Sequence, residues 1–199
     1  MATLDEPATH EAFWSALRAR HPRLGEALLA DARITARLRG ERHDFRSWRD
    51  AALQVVRLAC VSDAYLALAL YRLKAALQAR GVPVVPRLAH RLAMIVAQVS
   101  IGDPVVMAPG VYVIHGQIVV DGLVEIAEGA VIAPFVTIGL RAGDVQGAKI
   151  ERGVSIGTGA KVIGPVRIGA GATVGANAVV VDDVPAGATV VGVPARVVS

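Results

Sequence analysis

Ile114, Val120, Ile126, Ile132, Ile138, Asp144, Ile150, Ile156, Val162, Ile168, Val174 and Val180 stand six residues apart, and eleven of the twelve are Ile or Val. The position two residues before each is mostly small or aliphatic, as at Ile118, Val124, Ala130, Val136, Ala148, Val154, Ala160, Val166, Ala172 and Ala178. A short fixed period marks a solenoid, in which each unit buries its apolar side chain only by stacking on its neighbours. Six matches neither the helical period nor simple alternation. It reads as a short strand followed by a turn on one side of a coil.

Units such as Ile156-Gly157-Thr158-Gly159-Ala160-Lys161 and Ile168-Gly169-Ala170-Gly171-Ala172-Thr173 resemble the hexapeptide repeat of bacterial acyltransferases. A closer resemblance, to the serine O-acetyltransferases, rests on Ile114-His115-Gly116, Val136-Thr137-Ile138-Gly139, the run Gly157 to Gly164, and the ending Gly192-Val193-Pro194-Ala195-Arg196. It covers residues 80–199 and, more loosely, the segment before them. The resemblance implies a left-handed parallel β-helix with three hexapeptides to a triangular coil. The hand comes from the family, because parallel crossovers are otherwise right-handed.

The frame breaks once, at Asp144. A carboxylate in an apolar core is too costly without a partner. Residues 140–148 are therefore expected to leave the coil as a loop, with Ile150 resuming the frame. Loops thrown out of a rigid scaffold often carry function.

Upstream the chain changes character. Only Gly25, Gly40 and Gly81 of the twenty glycines precede residue 99, so residues 1–98 read as a helical domain and 99–199 as the β-helix domain. Helices are expected over His10–Arg20, from Pro22 to Gly40, from an Asp44 cap to Cys60, from a Ser62 or Asp63 cap to Arg80, and over Arg87–Gln98. Pro83 and Pro86 mark an extended linker. Cys60 reads as a small buried residue on its helix. It has no second cysteine for a disulfide, which fits a reducing, cytoplasmic setting.

Charge is uneven. Residues 1–98 balance at +6 and residues 99–199 at −2. The arginines alternate with acids and aliphatics and form no continuous basic run, so no nucleic-acid partner is expected. The longest uncharged run, Pro104 to Val120, contains Gly, Pro, His and Gln, and no stretch reads as a membrane span. Asp5, Glu6 and Glu11 precede any apolar run, which is not the pattern of a signal peptide.

Chemistry concentrates on the repeat. Of five histidines only His115 lies within it, at a position expected to project from a corner of the coil. His10, His21, His43 and His90 read as solvated surface groups. In the resembling family the equivalent His-Gly supplies the catalytic base. Imidazole, with an ordinary pKa of about 6.5, can accept a proton near neutrality while an alcohol or amine attacks a thioester.

The resemblance further implies acetyl-CoA as acyl donor, no metal, a small-molecule acceptor such as serine, and a role in cysteine biosynthesis. At 18 residues per coil, Gly139, Gly157 and Gly175 would stack into a column open to the donor's pantetheine chain. Leu140, Thr158 and Ala176 would lie beside it, and Arg196 would meet a phosphate. Flat faces carrying Val119, Val131 and Phe135 predict a homotrimer with sites between neighbouring β-helices, alone or paired through the helical domains.

Departures from the family pattern sit at the acceptor end. The carboxylate before the histidine is Ile114, a second acid is Ser100, and the loop reads Asp144-Val145-Gln146-Gly147-Ala148-Lys149 without the family's Arg and second His. The group that orients His115 is then a backbone carbonyl, Glu125, Asp121, or Asp144 from the same or an adjacent chain. Asp144 is the loop's candidate catalytic residue.

Overall fold

The computed structural model describes residues 7–198. Five helices come first: α1 (Pro7–Ala19), α2 (Leu24–Leu38), α3 (Trp48–Val61), α4 (Asp63–Gln78) and α5 (Val85–Ala97). The first strand, Val99–Ile101, follows α5 after one residue.

Four helix starts differ from the sequence reading: α1 begins at Pro7 and α2 at Leu24, each two or three residues from its expected start, and α3 and α5 differ as well. Ser47, and not Asp44, caps α3 by accepting from the Asp50 amide at 3.2 Å. Asp50 is fixed in turn by paired bonds of 2.7 Å from both Arg42 terminal nitrogens. Pro86 stands in the first turn of α5, where its missing amide costs nothing, so the expected linker is already helix. Ser62 caps α4 through the Tyr65 amide at 3.3 Å, as its position suggests. Cys60 is exposed, because α3 turns that face outward. His21 is also no surface group. It is partly buried against the Tyr71 ring, 6.2 Å between centroids.

Beyond α5 the chain winds through three flat faces in strict rotation. The first face stacks β1 (Val99–Ile101), β4 (Ile118–Val120), β7 (Thr137–Gly139), β10 (Lys161–Ile163) and β13 (Val179–Val180). The second stacks β2 (Val106–Met107), β5 (Leu123–Ile126), β8 (Gln146–Ile150) and β11 (Arg167–Ile168). The third stacks β3 (Tyr112–Val113), β6 (Val131–Ile132), β9 (Ser155–Ile156), β12 (Thr173–Val174), β14 (Thr189–Val191) and β15 (Arg196–Val197). Every pairing is parallel except β14 with β15. The result is a triangular β-helix of about five coils, closed at one end by a reversed strand.

The six-residue frame is the inner wall. Val120, Ile126, Ile132, Ile138, Ile150, Ile156, Val162, Ile168, Val174 and Val180 are each 2% exposed or less. Val124, Ala130, Val136, Ala148, Val154, Ala160, Ala172 and Ala178, two places earlier, are buried beside them. Small residues there let three walls meet across a narrow triangle.

The helices are fastened to the first coil by a buried ion pair. Arg72 of α4 and Asp31 of α2 are 3% and 1% exposed and meet at 2.9 Å. Arg72 also donates to the Met107 and Ala108 carbonyls at 2.6 and 2.7 Å, while Asp31 accepts from the Gly110 and Val111 amides. Burial pushes the Asp31 carboxyl up despite Arg72 and the two amides, so these bonds only offset the cost of burying the pair, and loss of either partner would strand a buried charge. Lys74 repeats the arrangement, donating to the Ile101 carbonyl and to Asp103.

Candidate active site

His115 lies in the turn between β3 and β4, exposed at the corner where the third face meets the first. Ile114 before it is half-buried and donates its amide to the Ile132 carbonyl at 3.0 Å. Gly116 after it is forced by close approach. A Cβ there would collide with the Ala97 carbonyl at the end of α5, whose oxygen instead accepts from the Gln117 amide at 2.8 Å. The His-Gly pair therefore records how α5 seats on the first coil, whatever chemistry the imidazole performs.

From Ile114 a single backbone ladder climbs the third face. Ala133 donates to the Ile156 carbonyl at 3.0 Å, Gly157 to Val174 at 2.7 Å and Gly175 to Val190 at 2.8 Å, and Val191 pairs with Arg196. At about 4.8 Å per strand, the four steps from Ile114 to Val191 span about 19 Å. Thr158 and Ala176, each one residue past a ladder glycine, are exposed along the same corner. Arg196 stands at the far end, exposed, with Asp182 at 3.5 Å.

Two features of the expected glycine column change. Gly139 is not in it. The loop lengthens its coil, so Thr137 pairs with Lys161 and Gly139 with Ile163 on the first face. The residue stacked under Gly157 is Ala133. Leu140, expected beside Thr158, follows Gly139 off the corner. Nor is the column open. A Cβ on Gly157 would lie 2.7 Å from the Ala176 amide nitrogen, and one on Gly175 would lie 2.7 Å from a Val191 methyl. Both glycines face the next coil, and the exposed strip is the one carrying Thr158 and Ala176.

Asp144 does leave the core, but the loop is shorter than the expected 140–148, because β8 takes Gln146–Ile150 into the second face and buries Ala148. The Asp144 carboxylate accepts from the Gln146 amide at 2.8 Å and closes the turn in which it sits. That turn joins β7 to β8 at the corner between the first and second faces. His115 occupies the other end of the first face, so Asp144 of the same chain does not reach it. The corner segments 114–117, 133–135, 157–159 and 175–177 contain one ionisable side chain, His115.

Among the described residues, no three His, Cys, Asp or Glu side chains are grouped to share a metal ion. Among the described residues, too, no single helix is long and apolar enough to cross a membrane.

The family described as Bacterial transferase hexapeptide (six repeats) matches residues 147–182. Among solved structures, soybean serine acetyltransferase is similar at 29% identity and a TM-score of 0.73, covering 96% of this chain and 73% of that one. The serine acetyltransferase of Vibrio cholerae gives 28% identity and a TM-score of 0.73, over 95% of this chain and 69% of that one. The chain carries hexapeptide repeats and is similar in fold to the serine acetyltransferases. The left-handed parallel β-helix is the fold of such repeats. A soybean serine acetyltransferase structure with serine bound is similar as well, at 28% identity and a TM-score of 0.74, over 96% of this chain and 73% of that one. The likeness includes the helices, since it extends far beyond the repeat, and it supports an acyltransferase activity. No curated protein matches in sequence.

Phe135 is a residue that sequence reasoning placed only on a flat face. It occupies the same corner as His115, one coil along, with its ring 53% exposed and a backbone φ of +62°. Its neighbours in the Ala-Pro-Phe-Val run gave no sign of a left-handed turn, which is usually announced by Gly or Asn.

Proposed function

We propose that the chain is an acetyl-CoA-dependent O-acetyltransferase with His115 as general base, acting on the hydroxyl of serine or of a related small acceptor. The observation that carries this reading is the ladder from Ile114, beside His115, to Arg196. It is long enough for an extended pantetheine arm, and beyond Phe135 the exposed strip along it carries the small side chains of Thr158 and Ala176. In this arrangement the thioester lies against His115, the arm runs past Thr158 and Ala176 with Gly157 and Gly175 packed behind, and Arg196 meets a phosphate. Gly139 has no place on this path. The imidazole takes the acceptor's proton as its oxygen attacks the thioester carbonyl, and coenzyme A leaves as the thiol.

Residues 99–199 hold this site, and residues 1–98 serve as the helical domain that caps and assembles it. We place the site between β-helices of a trimer, since one chain offers His115 no carboxylate at its own corner. Asp144 then acts only from a neighbouring chain. An amine or a non-serine alcohol is the alternative acceptor, favoured by Ile114 and Ser100 standing where the family has acids. A thiol-release screen with acetyl-CoA across amino acids, sugars and amines tests the reading. Turnover on serine or another hydroxyl is the expected result. No turnover on any acceptor, with acetyl-CoA still bound, would leave a non-catalytic binding scaffold.

A further inference from the structure

One turn of this corner carries an aromatic ring, and it does so on a left-handed backbone. Left-handed φ is rare for bulky residues, and holding one there costs about 1–2 kcal/mol. At the equivalent turns of this corner the chain uses Gln117, Gly159 and Asn177, all at positive φ, and two of these types tolerate it well. Phe135, at +62°, is with Gln117 one of two residues there whose type does not, and it is the bulkier of the two. Its surroundings fix that conformation from three directions. Its amide donates to the Gln117 carbonyl at 2.9 Å, and Lys161 Nζ donates to its own carbonyl at 2.7 Å. The Gly159 amide binds the Pro134 carbonyl at 2.9 Å. Strained residues that persist in an over-determined frame cluster at functional sites.

Burial does not explain the residue, because the ring stays 53% exposed and joins no apolar core of this chain. On the adjacent coil it stacks on Gln117, and His115 stands two residues earlier in that same exposed turn, while the nearest charge on its own side is the Lys161 ammonium at its carbonyl. We infer that Phe135 is a specificity-determining residue whose exposed ring forms a platform for an apolar or aromatic face of the acceptor while His115 meets its hydroxyl. The inference rests on the proposed acyl transfer and narrows its acceptor class. The preferred acceptor is an alcohol or amine carried on a hydrocarbon body, in preference to a compact, fully polar one.

The test pairs Phe135→Asn with Phe135→Leu. Asn relaxes the backbone and deletes the ring, and Leu keeps apolar bulk without an aromatic face. Initial rates, acetyl-CoA affinity by calorimetry, melting temperature and light-scattering mass are measured for both and for the unaltered protein. The expected result is that Phe135→Asn melts higher, binds acetyl-CoA unchanged, keeps its mass, and raises KM at least tenfold for hydrocarbon-bearing acceptors but not for serine. Phe135→Leu should fall between. Unchanged acceptor KM in both variants overturns the inference while leaving the acyltransferase reading intact. A fall in mass also overturns it, because the ring is then a contact with a second copy. Loss of acetyl-CoA affinity assigns the ring to the donor and overturns it likewise. Absence of turnover by the unaltered protein on every acceptor defeats the acyltransferase reading and the inference together.

Discussion

Take the imidazole of His115 away and its corner of the coil holds no group able to accept a proton near neutrality. His115→Ala should lower turnover by about 10²–10⁴-fold, the usual worth of a positioned general base. Acetyl-CoA affinity should hardly change, because the base acts in the transition state. Rates and calorimetry on the same preparation check both halves, and full activity would remove the assignment. A second histidine makes the fold sensitive to acid. Burial first, then the charges of Arg72, Lys74 and Arg20, bring the pKa of His21 down to about 4. The unfolded chain binds that proton near pH 6.5, so folding is unpenalised above 6.5 and loses stability as pH falls from 6.5 towards 4. The loss should reach no more than about 2–3 kcal/mol, and His21→Phe should flatten urea midpoints across that window. The exposed corner position of His115 could be read from the sequence, because a lone histidine just after an inward-facing repeat position stands out. The environment of His21 could not, since it depends on α4 residues some fifty positions away.

For the strands and turns, the period alone located the inner wall, because burial in a solenoid is local and repeats. It failed where one coil changed length. The six extra residues between Thr137 and Lys161 move Gly139 onto another face, and a fixed spacing of 18 cannot detect that. It also left open what the glycines are for. With the Ala176 backbone 2.7 Å from an added Cβ, Gly157→Val should destabilise the third face by several kcal/mol, beyond the 1–3 kcal/mol of ordinary overpacking. Thermal unfolding would register this before any effect on acetyl-CoA binding could be separated. Thr158→Val, on the exposed strip, should leave stability alone and weaken acetyl-CoA binding. A stable Gly157→Val would mean that the coils can part there at little cost. Helix starts were legible only to within a turn. Ser47 outcompetes Asp44 because Asp50, which donates its amide to Ser47, is itself locked by Arg42.

At the level of the whole molecule, the apolar surface is unevenly placed. Helix α5 buries Ala89, Ala93 and Ala97 and leaves Leu88, Leu92 and Ile95 exposed, an inversion that a monomer has no use for. Val119 continues the exposed apolar surface onto the coils that follow. A homotrimer at micromolar concentration is the expected state, and Leu92→Glu with Ile95→Glu should dissociate it while circular dichroism keeps its β-helix signature. A monomeric mass for the unaltered protein would refute this. Neither the inversion nor the surface it joins is visible in the sequence, because both large and small apolar residues of α5 satisfy one helical pattern.

A stack of parallel strands would be an invitation to polymerise. Its last rung presents a row of free amides and carbonyls pointing in the one direction that the first rung of another copy could accept, and nothing in the repeat says when to stop. Here the last rung is β15, which runs antiparallel to β14 and carries only Arg196 and Val197. A short strand of reversed polarity offers the wrong spacing of donors to a parallel newcomer, and the charge of Arg196 must be desolvated to let one dock. Deleting residues 192–198 should therefore turn a particle of fixed mass into filaments that grow end to end, visible by sedimentation and thioflavin fluorescence. A shortened chain that stays a discrete particle would show that the coil's other end, under α4 and α5, suffices to stop growth. The feature that fixes the length of the fold is in this sense also its solubility device.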